Sequence, residues 1–194
     1  MKKILVILLM SPLLFACGIQ SIPKAKNQVE AALAEITNQY KRRADLVPNL
    51  VSTVKGYAKH EEETLTGVVE ARAKASQMSI DPTNVNPQML QEFSKNQSGL
   101  SQALGRLMVV VEKYPDLKAD ANFRDLQAQL EGTENRITIA RQRAIESIKL
   151  FNDVITVPPT SWTNSLFYHH PKMPQWSVQG EEVKTIEKTP EVKF

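Results

Sequence analysis

The sequence predicts an all-α fold: an elongated antiparallel bundle of three to four long helices, followed by an irregular C-terminal segment. Three observations point there. The 194-residue chain holds only 7 glycines and 6% aromatics, and its commonest residues are good helix formers. Apolar residues recur at steps of three and four over long stretches, the period of one helix face. Proline and asparagine gather at a few places, where they punctuate those stretches.

The chain opens with Lys2 and Lys3, an apolar run from Ile4 to Ala16, and then Cys17-Gly18. This is the layout of an export signal, with a positive start, an apolar middle and small residues at a cleavage point. At 13 residues, interrupted by Ser11 and Pro12, the run falls short of the roughly 20 needed to cross a hydrocarbon core. Its end, Leu14-Phe15-Ala16-Cys17, resembles the lipobox of bacterial lipoproteins. That resemblance implies cleavage before Cys17, diacylglycerol on its sulfur, and often a further acyl chain such as palmitate on the new amino group. Two chains hold a protein at a bilayer stably, where one binds marginally. Gly18 matches the sorting pattern for the outer membrane if the source is Gram-negative. An ordinary secretory signal and a retained anchor are the competing readings of residues 1–16.

Residues 17–25 read as a lipidated tether. From Lys26 the pattern Val29, Leu33, Ile36, Tyr40 starts a helix, which continues through Val47, Leu50, Val54 and Tyr57 to Leu65, Val68 and Val69. Pro48 predicts a kink or a restart, with Asp45 as a cap for the second piece. The charged run Lys59 to Glu63 is a place to bend or to pass straight through. Residues 79–87 carry two prolines and two asparagines and read as a loop. Asn86-Pro87 then looks like a cap with proline in the first helical turn. The next helix carries Leu90, Phe93, Leu100, Leu104, Leu107 and Val111 and ends at Tyr114-Pro115, with a turn at 116–119.

The last helix has the strongest pattern: Phe123, Leu126, Leu130, Ile137, Ala140, Ala144, Ile148, Phe151 and Ile155, with Thr133 filling the gap. It is expected over 119–156, and a stripe that long must be covered along its whole length. The first long helix is its natural antiparallel partner. Pro158-Pro159 stops it. Residues 158–179 hold both tryptophans, Phe167, Tyr168 and His169-His170, and read as an extended segment folding its aromatics onto the bundle. A disordered tail is expected over 180–194.

Composition narrows the function. Without residues 1–16, 22 basic residues face 21 acidic ones, a net charge of +1. No basic stripe of the kind that holds nucleic acid is visible. His60-Glu61 lacks the second histidine four residues on, because position 64 is Thr, so the metalloprotease helix motif is incomplete. His169-His170 has no diagnostic ligand spacing. No catalytic residue, metal site or cofactor is expected. Glu134 lies four after Leu130 and three before Ile137, on the apolar stripe of the last helix. A buried carboxylate needs a partner, and Arg42 or Arg43 is the expected one, setting the register of the two long helices; the competing reading has Glu134 snorkel at the edge of the stripe.

Two blocks carry a family resemblance. The first is Gln39-Tyr40-Lys41-Arg42-Arg43-Ala44-Asp45-Leu46-Val47-Pro48-Asn49-Leu50-Val51 with Val54-Lys55-Gly56-Tyr57-Ala58-Lys59-His60-Glu61. The second is Tyr114-Pro115-Asp116-Leu117-Lys118-Ala119 with Glu131-Gly132-Thr133-Glu134-Asn135-Arg136-Ile137 and Phe151-Asn152. Residues 25–157 thus resemble the LemA family of bacterial envelope proteins. The resemblance implies a helical bundle (residues 26–157 here), tethered at its N-terminus outside the cytoplasm, with no catalytic residue to carry over. Family members commonly keep an N-terminal membrane helix; Cys17 points to a lipid in its place. From Pro158 to Trp176 the chain departs from the usual ending.

The expectation is a non-enzymatic interaction or scaffold module in the bacterial cell envelope. It would be held to the membrane by lipid on Cys17 and would bind an envelope or membrane protein. The competing readings are a weak or metal-dependent envelope hydrolase using His60, Glu61 and His169-His170, and an amphipathic membrane-shaping protein.

Overall fold

A computed structural model describes residues 19–176. The signal segment, Cys17 and the tail expected from residue 180 lie outside the described residues. The helices are α1 (Ser21–Tyr57), α2 (Glu62–Gln77), α3 (Pro87–Val111), α4 (Pro115–Ala119), α5 (Ala121–Thr156) and α6 (Thr160–Thr163), with a π-helical turn at Asn164–Tyr168. There is no strand among the described residues. The fold is all-α, as the sequence predicts.

The spine is α1 against α5. Cross-helix bonds join Glu35 to Arg143, Tyr40 to Arg141, Arg43 to Glu134 and Tyr57 to Asp120. Residue numbers rise on α1 as they fall on α5, so the pair is antiparallel over nearly its full length. At about 1.5 Å per residue, the 36 residues of α5 extend roughly 54 Å. The α2–α3 hairpin lies beside this spine and covers the apolar stripe that two helices alone would leave wet.

Helix boundaries follow the caps. The Asn86 side chain accepts from the Met89 amide at 2.8 Å, with Pro87 in the first turn, as the sequence indicates. Asp120 does the same for α5, accepting from the Phe123 amide at 2.9 Å. The expected turn at 116–119 is the short helix α4, whose Leu117 is fully buried. Glu62 and Glu63 occupy the first turn of α2, where the helix dipole favours negative charge. The chain therefore breaks at 58–61, within the charged run.

Several expectations need correction. Helix α1 begins at Ser21, because Ile22 and Ala25 are buried and carry the stripe a turn further back. The tether expected to reach residue 25 thus stops before Ser21. Helix α1 also runs through Pro48 without a restart, so Asp45 caps nothing. Tyr57 and Val69, read as stripe residues, are exposed. The segment after Pro159 is first helical, and loses regular structure only from His169. Its aromatics divide: Trp176 is buried with its ring 6.1 Å from Phe93, edge-on, whereas Trp162 and Phe167 stay exposed.

Two asparagines hold this last stretch down. Asn152 on α5 brackets Met173, donating to its carbonyl at 2.9 Å and accepting from its amide at 2.8 Å. Asn164 brackets His170 in the same way, with both bonds at 3.0 Å. Just before His170, His169 adopts a left-handed conformation, φ 55°. Histidine is among the residues that tolerate this region.

Candidate functional site

The core comes in two apolar halves. One contains Val29, Ile36, Phe93, Ile148 and Trp176; the other contains Val54, Leu100, Leu107 and Phe123. A polar layer of Arg43, Gln97 and Thr133 lies between them, and all three are buried. Each sits at a stripe position: Arg43 between Tyr40 and Val47, Gln97 between Phe93 and Leu100, Thr133 between Leu130 and Ile137.

Arg43 organises the layer. Its Nη1 donates to Ser101 Oγ at 2.8 Å and to Glu134 Oε1 at 2.6 Å. Its Nη2 donates to the Gln97 carbonyl at 3.1 Å and to Gln97 Oε1 at 2.8 Å. The Gln97 amide then donates to the Ala75 carbonyl at 3.1 Å, reaching α2. One guanidinium therefore links α1, α3 and α5, and through Gln97 the fourth long element. Tyr40 lies with its ring centroid 5.1 Å from the guanidinium carbon, adding a cation–π contact. Nε of Arg43 is buried without a hydrogen-bond partner.

Of the two candidate arginines, Arg43 reaches Glu134, and Arg42 is exposed. The burial is the reverse of what the stripe suggested. The Arg43 side chain is 1% exposed and that of Glu134 is 49% exposed, so the arginine is the desolvated charge. Glu134 reaches in from the edge, and buried Thr133 holds the stripe position. The layer therefore ties the long helices together at one register.

A second polar contact lies just beyond. Pro48 has no amide to give the carbonyl of Ala44, its i−4 acceptor. Arg72 Nε on α2 donates to that carbonyl at 2.8 Å. At the far end of the spine, Tyr57 donates to Asp120 at 3.0 Å. The Phe123 amide and, secondarily, the Tyr57 hydroxyl hold the Asp120 carboxyl below its usual range, while Asp120 raises the Tyr57 phenol.

The residues of the hydrolase reading do not converge. His60 lies in the break between α1 and α2, near the Tyr57–Asp120 end, and Glu61 sits beside Tyr114. His169 and His170 lie past the other end of α5, where the His170 ring packs near Tyr168 and Phe151. Burial and the nearby Lys26 ammonium lower its pKa. Among the described residues, no group of three or more His, Cys, Asp or Glu is placed to hold a metal ion. No described helix is long and apolar enough to cross a membrane.

Sequence reasoning missed Gln97, Ser101, Arg72 and Asn152. Gln97 had a signal, a polar residue at a stripe position; the other three act through contacts distant in sequence.

The LemA family profile matches residues 32–194. That span includes Pro158–Trp176, where the two sequence blocks gave little likeness. Protein LemA of Metamycoplasma hominis (strain ATCC 23114 / DSM 25592 / NBRC 14850 / NCTC 10111 / PG21) is 29% identical over 141 residues, covering 72% of this chain and 58% of that relative. The chain thus spans somewhat over half the length of that curated relative. With most of its length matched, from the middle of α1 to its end, the chain belongs to the LemA family.

Proposed function

We propose that this LemA family protein is a non-enzymatic interaction module, held at a bacterial envelope membrane by lipid on Cys17. One observation carries this reading most directly. Helix α1 starts at Ser21 and buries Ile22, so only residues 18–20 separate Cys17 from a packed bundle. Three residues extend to roughly 10 Å at most. A lipid on Cys17 would keep the bundle against the headgroups, with α2, α3 and the exposed face of α5 open to a neighbouring envelope or membrane protein. The long helices present polar faces punctuated by Val109 and Ile139, both more than half exposed.

In-cell cross-linking followed by mass spectrometry tests this reading. The wild-type chain is expected to cross-link to a defined membrane or envelope protein through the α2–α3 face, and Cys17→Ser is expected to lose that cross-link and leave the membrane fraction. Cys17→Ser protein that stays membrane-bound with unchanged cross-links would overturn the anchoring.

A further inference from the structure

Beyond the anchor, we infer that the α6–π-turn end of the bundle rests on the bilayer surface, with Trp162, Leu166 and Phe167 inserted at the headgroup level. This rests on the anchoring reading above and adds a second, non-covalent membrane contact to it.

Trp162, Leu166 and Phe167 are 59%, 66% and 68% exposed, among the most exposed large apolar side chains of the described residues. Leu166 and Phe167 follow Trp162 at spacings of four and five. The π turn, closed by the His169 amide on the Asn164 carbonyl at 2.7 Å, widens the coil so that i+5 replaces i+4 as the overlying position. Trp162 and Phe167 therefore fall on one side, with Leu166 next to them, while Thr163 turns inward and is buried. Thr163 and Tyr168 pack inward while Trp162, Leu166 and Phe167 face water, so the largest apolar side chains of this short segment lie on its wet side.

The location supplies the occupant. Tyr168, at the end of the π turn, donates its hydroxyl to the Ile19 carbonyl at 2.9 Å. Ile19 is two residues from Cys17, and is itself exposed. Beside it, Tyr168 and the first turns of α1 line an open groove of about 550 Å³. The apolar side chains and the expected lipid attachment are thus fastened to the same end of the molecule.

Charge agrees. Residues 157–176 contain no Asp or Glu, and neither do residues 18–29. Lys24, Lys26 and Lys172 lie in these stretches; the bordering carboxylates are Asp153 and Glu30, the latter 3.9 Å from Lys26. A tryptophan, a phenylalanine and a leucine in a stretch whose only formal charge is that of Lys172 suit an interface of apolar chains beneath anionic headgroups. A protein partner is the competing occupant.

The test uses the full chain purified from membranes and returned to vesicles of phosphatidylethanolamine and phosphatidylglycerol, with or without bromine on the upper acyl chain. Trp162→Phe isolates Trp162 emission from that of buried Trp176. The expected result is that the protein floats with the vesicles and that the Trp162 contribution is lost in brominated lipid while the Trp176 remainder persists. Floating protein whose Trp162 emission is untouched by bromine would overturn the membrane contact and leave the anchor standing, assigning the surface to a protein partner. Protein that does not float would overturn both.

Discussion

Arg72 on α2 donates its Nε hydrogen to the carbonyl of Ala44 on α1 at 2.8 Å, the acceptor that Pro48 leaves without its helical donor. Proline inside a helix usually breaks it. Here a side chain from the neighbouring helix fills the vacancy, so the same residue that weakens α1 docks α2. Arg72→Met should cost about 1 kcal/mol, the effect of a carbonyl left unpaired. In a Pro48→Ala background, where residue 48 regains its amide, the same substitution should cost much less. Denaturant melts of the four proteins read the coupling, and equal costs in both backgrounds would refute it.

The Arg43 layer should respond unequally to loss of its two ends. Glu134→Gln leaves a buried guanidinium without its counter-charge; half-exposure of the carboxylate moderates the cost to about 1–3 kcal/mol. Arg43→Ala should be worse, since Gln97 and Ser101 lose their donor and the two core halves gain a void; about 3–5 kcal/mol is expected. Arg42→Ala should be nearly silent, as a surface substitution usually is. Urea midpoints of the three variants check the order.

Asp120 and Tyr57 predict opposite pH limbs. The Asp120 carboxyl is depressed when folded, so its contribution is present above the unfolded value of about 3.9 and is lost as pH falls through the folded one. Tyr57 is raised, so its contribution holds below about 10 and is lost as pH climbs through the raised value. Asp120→Asn keeps a capping oxygen and should flatten the acid limb; Tyr57→Phe should flatten the alkaline one. Thermal melts between pH 2 and pH 11 would display both, at about these reference values.

Asn152 substitutes for backbone in pinning Met173, so Asn152→Ala should release the extended segment that buries Trp176. The expected readout is a red shift of Trp176 emission in a Trp162→Phe background, with a stability loss of about 1–3 kcal/mol for two main-chain groups left unpaired. Unshifted emission would mean that Trp176 is held by packing on Phe93 alone.

How much of this was readable in the sequence depends on range. Periodicity reports a helix's own face, so the α1–α5 pairing and most core residues on the helices follow from the steps of three and four. The Asn86 cap was equally local. The polar layer was half-legible: Glu134 and an arginine were identified, but the stripe step from Tyr40 to Val47, which lands on Arg43 and not on Arg42, was left unused. Pro48 misled because its remedy, Arg72, is a partner on another helix. Trp162 and Phe167 misled for a related reason: composition says that aromatics want burial, but only the fold shows that Thr163, lying between them, takes the inward position.

The central claim is the anchor at Cys17, and mass spectrometry of the amino-terminal peptide from protein purified out of its native membrane tests it most directly. The peptide is expected to begin at Cys17 and to carry diacylglycerol on sulfur, with a further acyl chain on the amino group. A peptide beginning at Met1, or an unmodified Cys17, would contradict it.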